Sequence, residues 1–225
     1  MRYTVDAASE IEPAFADRGE AGQRLADELS RMNYPNPAVV TIPTGGIPVA
    51  LPIRDRLGVP LRCTFAKKVP FSDDCRFGIG AVSGSGNVLL NTQLIKNISL
   101  QEEYVREGIA HARSIVQSNM ENLMHFAVSP PDLSGRTAIL VDDGIATGFT
   151  MLSAAKEVEA LKPTSIIIAS PVVSASAHQR IHDLGYEQVT LLLSTARAFL
   201  VDNFYRSFQQ LSIDDVRNML PTDRE

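Results

Sequence analysis

The chain has 225 residues, with 21 Lys and Arg against 26 Asp and Glu and a formal net charge of −5 at pH 7. That length fits one generous domain with its own core, or a domain carrying a small appendage. With 44% hydrophobic and 21% charged residues it is neither a disordered tail nor a collagen-like repeat, and it has no run of basic residues to offer a nucleic-acid polymer or an anionic membrane.

In chain order, residues 19–32 place Ala21, Leu25, Ala26, Leu29 and Met32 at helical spacing, with charged residues between them. An opening amphipathic helix is expected there. After the turn residues Asn33, Pro35, Asn36 and Pro37, the run AVVTIPTGGIPVALPIRDRL predicts a strand, a tight loop and a helix. Residues 61–66 predict a second strand ending in Lys67 and Lys68, and the following PFSDDCRF, which no periodicity organises, is expected to be a mobile loop. GIGAVSGSGNVLLN reads as a hairpin turning at Gly84, Ser85 and Gly86. Ser99-x-x-Glu102 is a capping-box pattern, and it predicts a long helix reaching about His125.

From there strands and helices alternate: strand 137–141, helix 150–161, strand 165–169, helix 174–184 and strand 188–193. Ser212-x-x-Asp215 opens a last short helix. Strands separated by helices of this length imply right-handed crossovers and a mostly parallel α/β sheet.

No apolar stretch is long enough to cross a bilayer, which takes about 20 residues. The opening MRYTVDAASEIEP lacks an apolar signal region, so a cytoplasmic protein is expected. Cys63 and Cys75 make no metal-binding or disulfide pattern. Cys63 is expected to pack in its strand, and Cys75 has no adjacent base to activate it. His178 and His182 stand four apart, but HQRIH lacks the Glu that zinc peptidases use and reads as a solvated helix face.

The stretch that carries chemistry is ILVDDGIATGFT, residues 139–150. An apolar strand runs into two acids, then a loop rich in Thr and Gly, then a helix. Strand ends and the helix N-termini that follow them line the ligand crevice of an open α/β sheet. Asp142 and Asp143 are too polar to bury alone, and a ribose diol or a metal could serve as their partner. The following ATGFT offers backbone N–H groups at a helix N-terminus, which favours an anion. Thr147 and Thr150 add hydroxyls, and Gly148 permits a left-handed backbone. Diol-reading acids followed by a phosphate cradle describe a sugar phosphate. Taken alone, the two acids read equally as a solvated strand-end turn or a Mg²⁺-binding pair, and Lys67-Lys68 as a solvated strand end.

ILVDDGIATGFT resembles the fingerprint of type I phosphoribosyltransferases, which bind 5-phosphoribosyl 1-diphosphate (PRPP). PTGGIPVA, KKVPFSDDCRFGIGAV with NVLLN, and FYRSFQQLSIDDV resemble a largely uncharacterised subgroup of that family, over residues 15–220. The resemblance implies a single domain, 1–225, with a core of about 15–195, a C-terminal hood of about 196–225 and a flexible loop or hairpin over the site. It implies that Asp142 and Asp143 hold the ribose hydroxyls. Gly144, Ala146, Thr147, Gly148, Phe149 and Thr150 would hold the 5′-phosphate, and Thr44, Gly45, Gly46 and Lys67 or Lys68 the pyrophosphate. Lys68 joins the two acids as an expected catalytic residue. Ser72, Asp73, Asp74 and Arg76 fall in the expected closing loop, and Phe199 where a base-stacking residue often stands. Thr44 occupies a position where many relatives carry Arg, and Arg76 one where they carry an acid. Ala146 and Phe149 replace the Asp and Lys of hypoxanthine/guanine enzymes.

The expected activity is Mg²⁺-dependent transfer of the phosphoribosyl group of PRPP to a nucleobase or similar nitrogenous acceptor, with Mg²⁺ carried on PRPP and touching Asp142 and Asp143. A homodimer is expected by resemblance. The other reading is a PRPP- or nucleotide-sensing regulator that keeps the fold without catalysis.

Overall fold

The computed structural model describes residues 4–5, 13–71, 78–123, 133–196 and 198–220. The first half runs β1 (Thr4–Val5), α1 (Arg18–Ser30), β2 (Pro37–Thr41), α2 (Gly46–Leu57), β3 (Leu61–Cys63), β4 (Ala66–Pro70), β5 (Gly78–Ser83), β6 (Val88–Leu90), α3 (Thr92–Asn97) and α4 (Glu102–Leu123). The second half runs β7 (Thr137–Val141), α5 (Phe149–Ala160), β8 (Ser165–Ser174), α6 (Ala175–Asp183), β9 (Glu187–Ser194), a 3₁₀ turn at Val201–Phe204 and α7 (Ile213–Met219).

Six of these strands form one parallel sheet in the order β1-β9-β8-β7-β2-β3, flanked by helices on both faces as the α/β reading requires. Burial on two faces is why the central strands read as continuous apolar runs. Alternate residues part cleanly. Val39, Ile139 and Val141 join Leu25 and Leu29 of α1 and Ile47 and Ile53 of α2. Ala38, Val40, Ala138 and Leu140 join Met151 and Leu152 of α5 and Ile181 of α6. The register aligns Thr41 with Val141 and Val141 with Ala169, so the loops after β2 and β7 leave the sheet side by side.

The expected second strand is in fact two. β3 ends at Cys63, and Thr64 makes a last bond, its N–H to the Thr41 carbonyl at 2.9 Å. The chain then leaves the sheet. β4, which carries Lys67 and Lys68 along its length rather than beyond its end, pairs antiparallel with β5, and β5 with β6. The expected hairpin is this β5–β6 pair. Val69, Ile79 and Val82 of the small sheet bury against Ala112 of α4.

Two local expectations are corrected. The long helix opens at Glu102, not at a Ser99 cap: Ser99, at φ 51°, ends the unanticipated α3. Its N–H donates to the Lys96 carbonyl and that of Leu100 to Ile95, a Schellman closure that uses up the turn. Met32 lies past the end of α1 and is 42% exposed, outside the stripe it was expected to extend. Capping does occur at Ser212, whose hydroxyl and Asp215 carboxylate cap each other's backbone as the pattern predicted.

The chain's two distant ends of described structure meet. The Phe15 N–H donates to the Phe204 carbonyl at 3.0 Å, and the Arg206 N–H to the Phe15 carbonyl at 2.9 Å. Rings of Phe15, Tyr205 and Phe208 stack in tilted contacts of 5.4 and 5.3 Å. No helix among the described residues is long and apolar enough to cross a membrane.

Candidate functional site

Asp142 and Asp143 follow directly on β7, whose five residues are all buried. The Asp143 N–H donates to Asp142 Oδ1 at 3.0 Å. On its other side Asp143 Oδ2 takes the Arg18 Nε–H at 2.7 Å, with the two side chains only 14% and 10% exposed. Arg18 is the first residue of α1. Its Nη1 donates to the Gln209 carbonyl at 2.8 Å, and its guanidinium lies 3.6 Å from the Phe208 ring centroid. The Tyr205 hydroxyl donates to the Asp143 carbonyl at 2.5 Å. One acid is therefore gripped from two distant segments of the chain.

Burial pushes both carboxyls above their ordinary range. At Asp142 the neighbouring Asp143 adds to the rise, while Arg18 and Lys67 oppose it, so its carboxyl ends well above normal. At Asp143 burial again dominates, and Arg18 holds the rise back. Such a pair takes up a proton readily unless something positive or hydrogen-donating comes to meet it.

Beside these acids runs the loop after β2. Its Pro43–Thr44 peptide is cis. Gly45 and Gly46 are required by close approach: a Cβ on Gly45 would overlap Asp143 Oδ2, and one on Gly46 would stand 2.5 Å from Thr41 Oγ1 and 3.0 Å from the Val141 carbonyl. The Gly46 amide is already spent on the Ile42 carbonyl at 3.1 Å. Among the described residues, none accepts a hydrogen bond from the amides of Thr44 and Gly45.

On the other side, Gly144 meets Val201, whose Cγ1 a Cβ would approach to 2.5 Å. Ile145 bridges to Val173 and ties the next loop to β8. Gly148, at φ 83°, caps α5 in a conformation that glycine adopts without strain, and no side chain caps that helix. The amides of Thr147, Gly148, Phe149, Thr150 and Met151 meet no acceptor among the described residues. Phe149 turns its ring inward, and Thr147 stays exposed. At the start of α6, the hydroxyl of its N-cap Ser174 donates to the Ala146 carbonyl at 2.5 Å, and Arg180 Nη1 donates to the Thr147 carbonyl.

Of the two lysines, Lys67 is exposed and close enough to Asp142 to favour its ionised form. Lys68 faces the other way along β4, and its stem lies across Gly78. Phe199 is half-buried, its ring 5.1 Å from that of Phe204. Phe71 closes β4 and is 37% exposed, while Ser72, Asp73, Asp74, Cys75 and Arg76 lie outside the described residues. Among the described residues no group of three or more His, Cys, Asp or Glu could cage a metal. Burial pushes the Cys63 thiol up to about 12, which removes it as a nucleophile near neutral pH. His182 stands exposed beside Asp183, as a solvated helix face predicts, but His178 is half-buried with its Nδ1 buried, because it lies nearer the sheet-facing side of α6.

Two loops of unspent amides thus flank a pair of strand-end acids. The family model described as "Phosphoribosyl transferase domain" matches residues 14–202. The chain belongs to the phosphoribosyltransferase family. Two proteins named "Putative phosphoribosyl transferase", from Mycobacterium tuberculosis strains CDC 1551 and H37Rv, are each 32% identical over 206 residues, 90% of this chain. The chain spans about half of their length, 45% of each. The crystal structure of TT1426 from Thermus thermophilus is similar over 92% of this chain and 97% of that one, at 29% identity and a TM-score of 0.70. A Neisseria gonorrhoeae protein whose structure holds ppGpp shares the fold, at 14% identity and a TM-score of 0.52 over 98% of this chain and 96% of that one.

The structure brings together the sequence-expected Asp142, Asp143, Thr44, Gly45, Gly46 and residues 144–150. It adds four that the sequence reading missed: Arg18, Tyr205, Ser174 and Arg180. Tyr205 lies in the quoted FYRSFQQLSIDDV and Ser174 at the start of a predicted helix, but no sequence pattern ties any of the four to the acids or the loop that follows them.

Proposed function

We propose that this chain binds PRPP and transfers its phosphoribosyl group to a nitrogenous base, releasing pyrophosphate. The observation that carries the reading is the placing of two loops with open amides on either side of Asp142 and Asp143, in a chain of this family. The amides of residues 147–151 and the hydroxyls of Thr147 and Thr150 take the 5′-phosphate, where the helix dipole adds its attraction. Asp142 and Asp143 accept hydrogen bonds from the 2′- and 3′-hydroxyls. Arg18 occupies only Oδ2 of Asp143, which leaves Oδ1 for the sugar. The amides of Thr44 and Gly45, with Lys67 nearby, take the diphosphate, while Lys68, expected as a catalytic residue, faces away from them.

Mg²⁺ suits this donor set as a cation that arrives on the diphosphate: two adjacent carboxylates give hard oxygen ligands but no closed cage. Bound there, it would stabilise the charge of the leaving pyrophosphate. The chain's own contribution is positioning: the ring is held at its diol and its 5′-phosphate while cationic character grows at C1′. Phe199 stacks on the incoming base.

The test is to incubate the chain with PRPP, Mg²⁺ and, in turn, purines, pyrimidines and orotate, following pyrophosphate release. Release with one class of base is expected. No release with any of them, together with no PRPP binding by calorimetry, overturns the proposal.

A further inference from the structure

Ser174, the N-cap of α6, and Arg180, within it, stand apart from the end of β7 at which the acids sit. Yet both reach the loop at 146–148. The Ser174 hydroxyl has a single proton, and it goes to the Ala146 carbonyl at 2.5 Å; the same oxygen caps α6 by accepting from the Ala177 N–H at 3.0 Å. The Ser176 hydroxyl, 3.1 Å away, must then donate to Ser174 rather than accept from it. Arg180, one turn and a half further along, leans back toward the helix start, donates to the Thr147 carbonyl and lies 4.8 Å from the centroid of the Phe149 ring. No acid among the described residues pairs with it. Gly148 rests against Ala177, 3.5 Å from where a Cβ would stand.

Two consecutive carbonyls are thus held from one side. The peptides that carry them are trans, so each N–H points opposite to its carbonyl. Tying the carbonyls of Ala146 and Thr147 to α6 and its cap aims the amides of Thr147 and Gly148 away from α6, into the concavity at the start of α5. Successive amides turned to one side make an anion nest.

We infer that Ser174 and Arg180 are positioning residues for the phosphate cradle: they fix the 146–147 and 147–148 peptide planes from behind, so that the amides face the phosphate before it arrives. Neither needs to touch the ligand. The inference rests on the phosphoribosyl reading of the site. It separates affinity at this loop from affinity at the loop of Thr44 and Gly45, which α6 does not touch.

The experiment compares the unaltered chain with Arg180→Met, Arg180→Lys and Ser174→Ala by titration calorimetry, with D-ribose 5-phosphate and inorganic pyrophosphate as separate probes. Loss of a donor to a cradle carbonyl is expected to weaken ribose 5-phosphate about tenfold or more in Arg180→Met and Ser174→Ala, with partial rescue in Arg180→Lys. Pyrophosphate affinity is expected to stay within about twofold. If the unaltered chain binds ribose 5-phosphate and folded variants bind it equally well, the inference falls while the reading of the site stands. Equal weakening of both probes also overturns it, since that is general loosening. If the unaltered chain binds no ribose 5-phosphate, the phosphoribosyl reading and this inference fall together.

Discussion

Replacing Arg18 by Met keeps most of an apolar stem and removes the charge. Three contacts go with it: the bond to Asp143 Oδ2 at 2.7 Å, the bond to the Gln209 carbonyl at 2.8 Å, and the guanidinium stacked 3.6 Å from the Phe208 centroid. Cutting one partner from a buried ion pair costs ~3–5 kcal/mol. Asp143 keeps 14% exposure and can take up a proton, which puts the expected loss near the lower end, about 3 kcal/mol. For a chain of this length each kcal/mol lowers the melting temperature by about 2–4 °C, so thermal unfolding should begin about 6–12 °C lower. Adding Asp143→Asn removes the stranded charge, and the double variant should recover at least about 1.5 kcal/mol relative to the sum of the single losses. The pH dependence has a definite sign. Asp143 is already raised in the folded state and Arg18 restrains that rise. A raised carboxyl supports the fold while protonated, and the support is lost as pH climbs through the folded value. Arg18→Met should therefore lose more stability than the unaltered chain does as pH rises above about 4, where an ordinary carboxyl titrates. Melting within about 2 °C of the parent, or additive losses in the double variant, would refute the account of Arg18 as the counter-charge of Asp143.

Asp142→Asn should move stability and binding in opposite directions. Burial and the neighbouring Asp143 raise the Asp142 carboxyl well above its usual range, so its ionised form weighs on the fold at high pH. The variant should melt above the parent at pH 8, with the gain fading toward about pH 4, where the unfolded carboxyl titrates, while ribose 5-phosphate binding is lost. Calorimetric scans over that range check it, and a lower melting point at pH 8 would contradict the buried-charge argument. Gly45→Ala drives a methyl into Asp143 Oδ2, at a cost of about 1–3 kcal/mol, and should weaken pyrophosphate about tenfold or more. Unchanged pyrophosphate affinity in a folded variant would remove the loop from the site.

The sheet was legible because its signals are local and repeated. The parallel strands are buried on both faces, so 137–141 and 165–169 stand out as unbroken apolar runs. The acids and the loop of open amides after them were legible because both lie in one stretch of twelve residues, 139–150. What escaped depends on long range or on competition between nearby signals. Ser99-x-x-Glu102 satisfies a capping pattern, but the same serine serves better as the left-handed end of α3. Residues 61–66 read as one strand, and only pairing partners show that the chain changes sheets after Cys63. Arg18 lies 125 positions from Asp143, and Arg180 lies 33 from Thr147, separations that carry no periodic trace in a single sequence.

The meeting of residues 15–18 with residues 204–209 also has a temporal side. Arg18 and Gln209 are 191 positions apart, so the grip on Asp143 closes a loop of nearly the whole described chain. Contacts of that span form late, since loop closure must be offset by structure already present. A nascent chain released as far as β9 holds every strand of the parallel sheet and both Arg18 and Asp143, but not yet Tyr205, Phe208 and Gln209, which hold that pair in place. Assembly of the scaffold and completion of the clamp on Asp143 are thus separate events, ordered by the direction of synthesis.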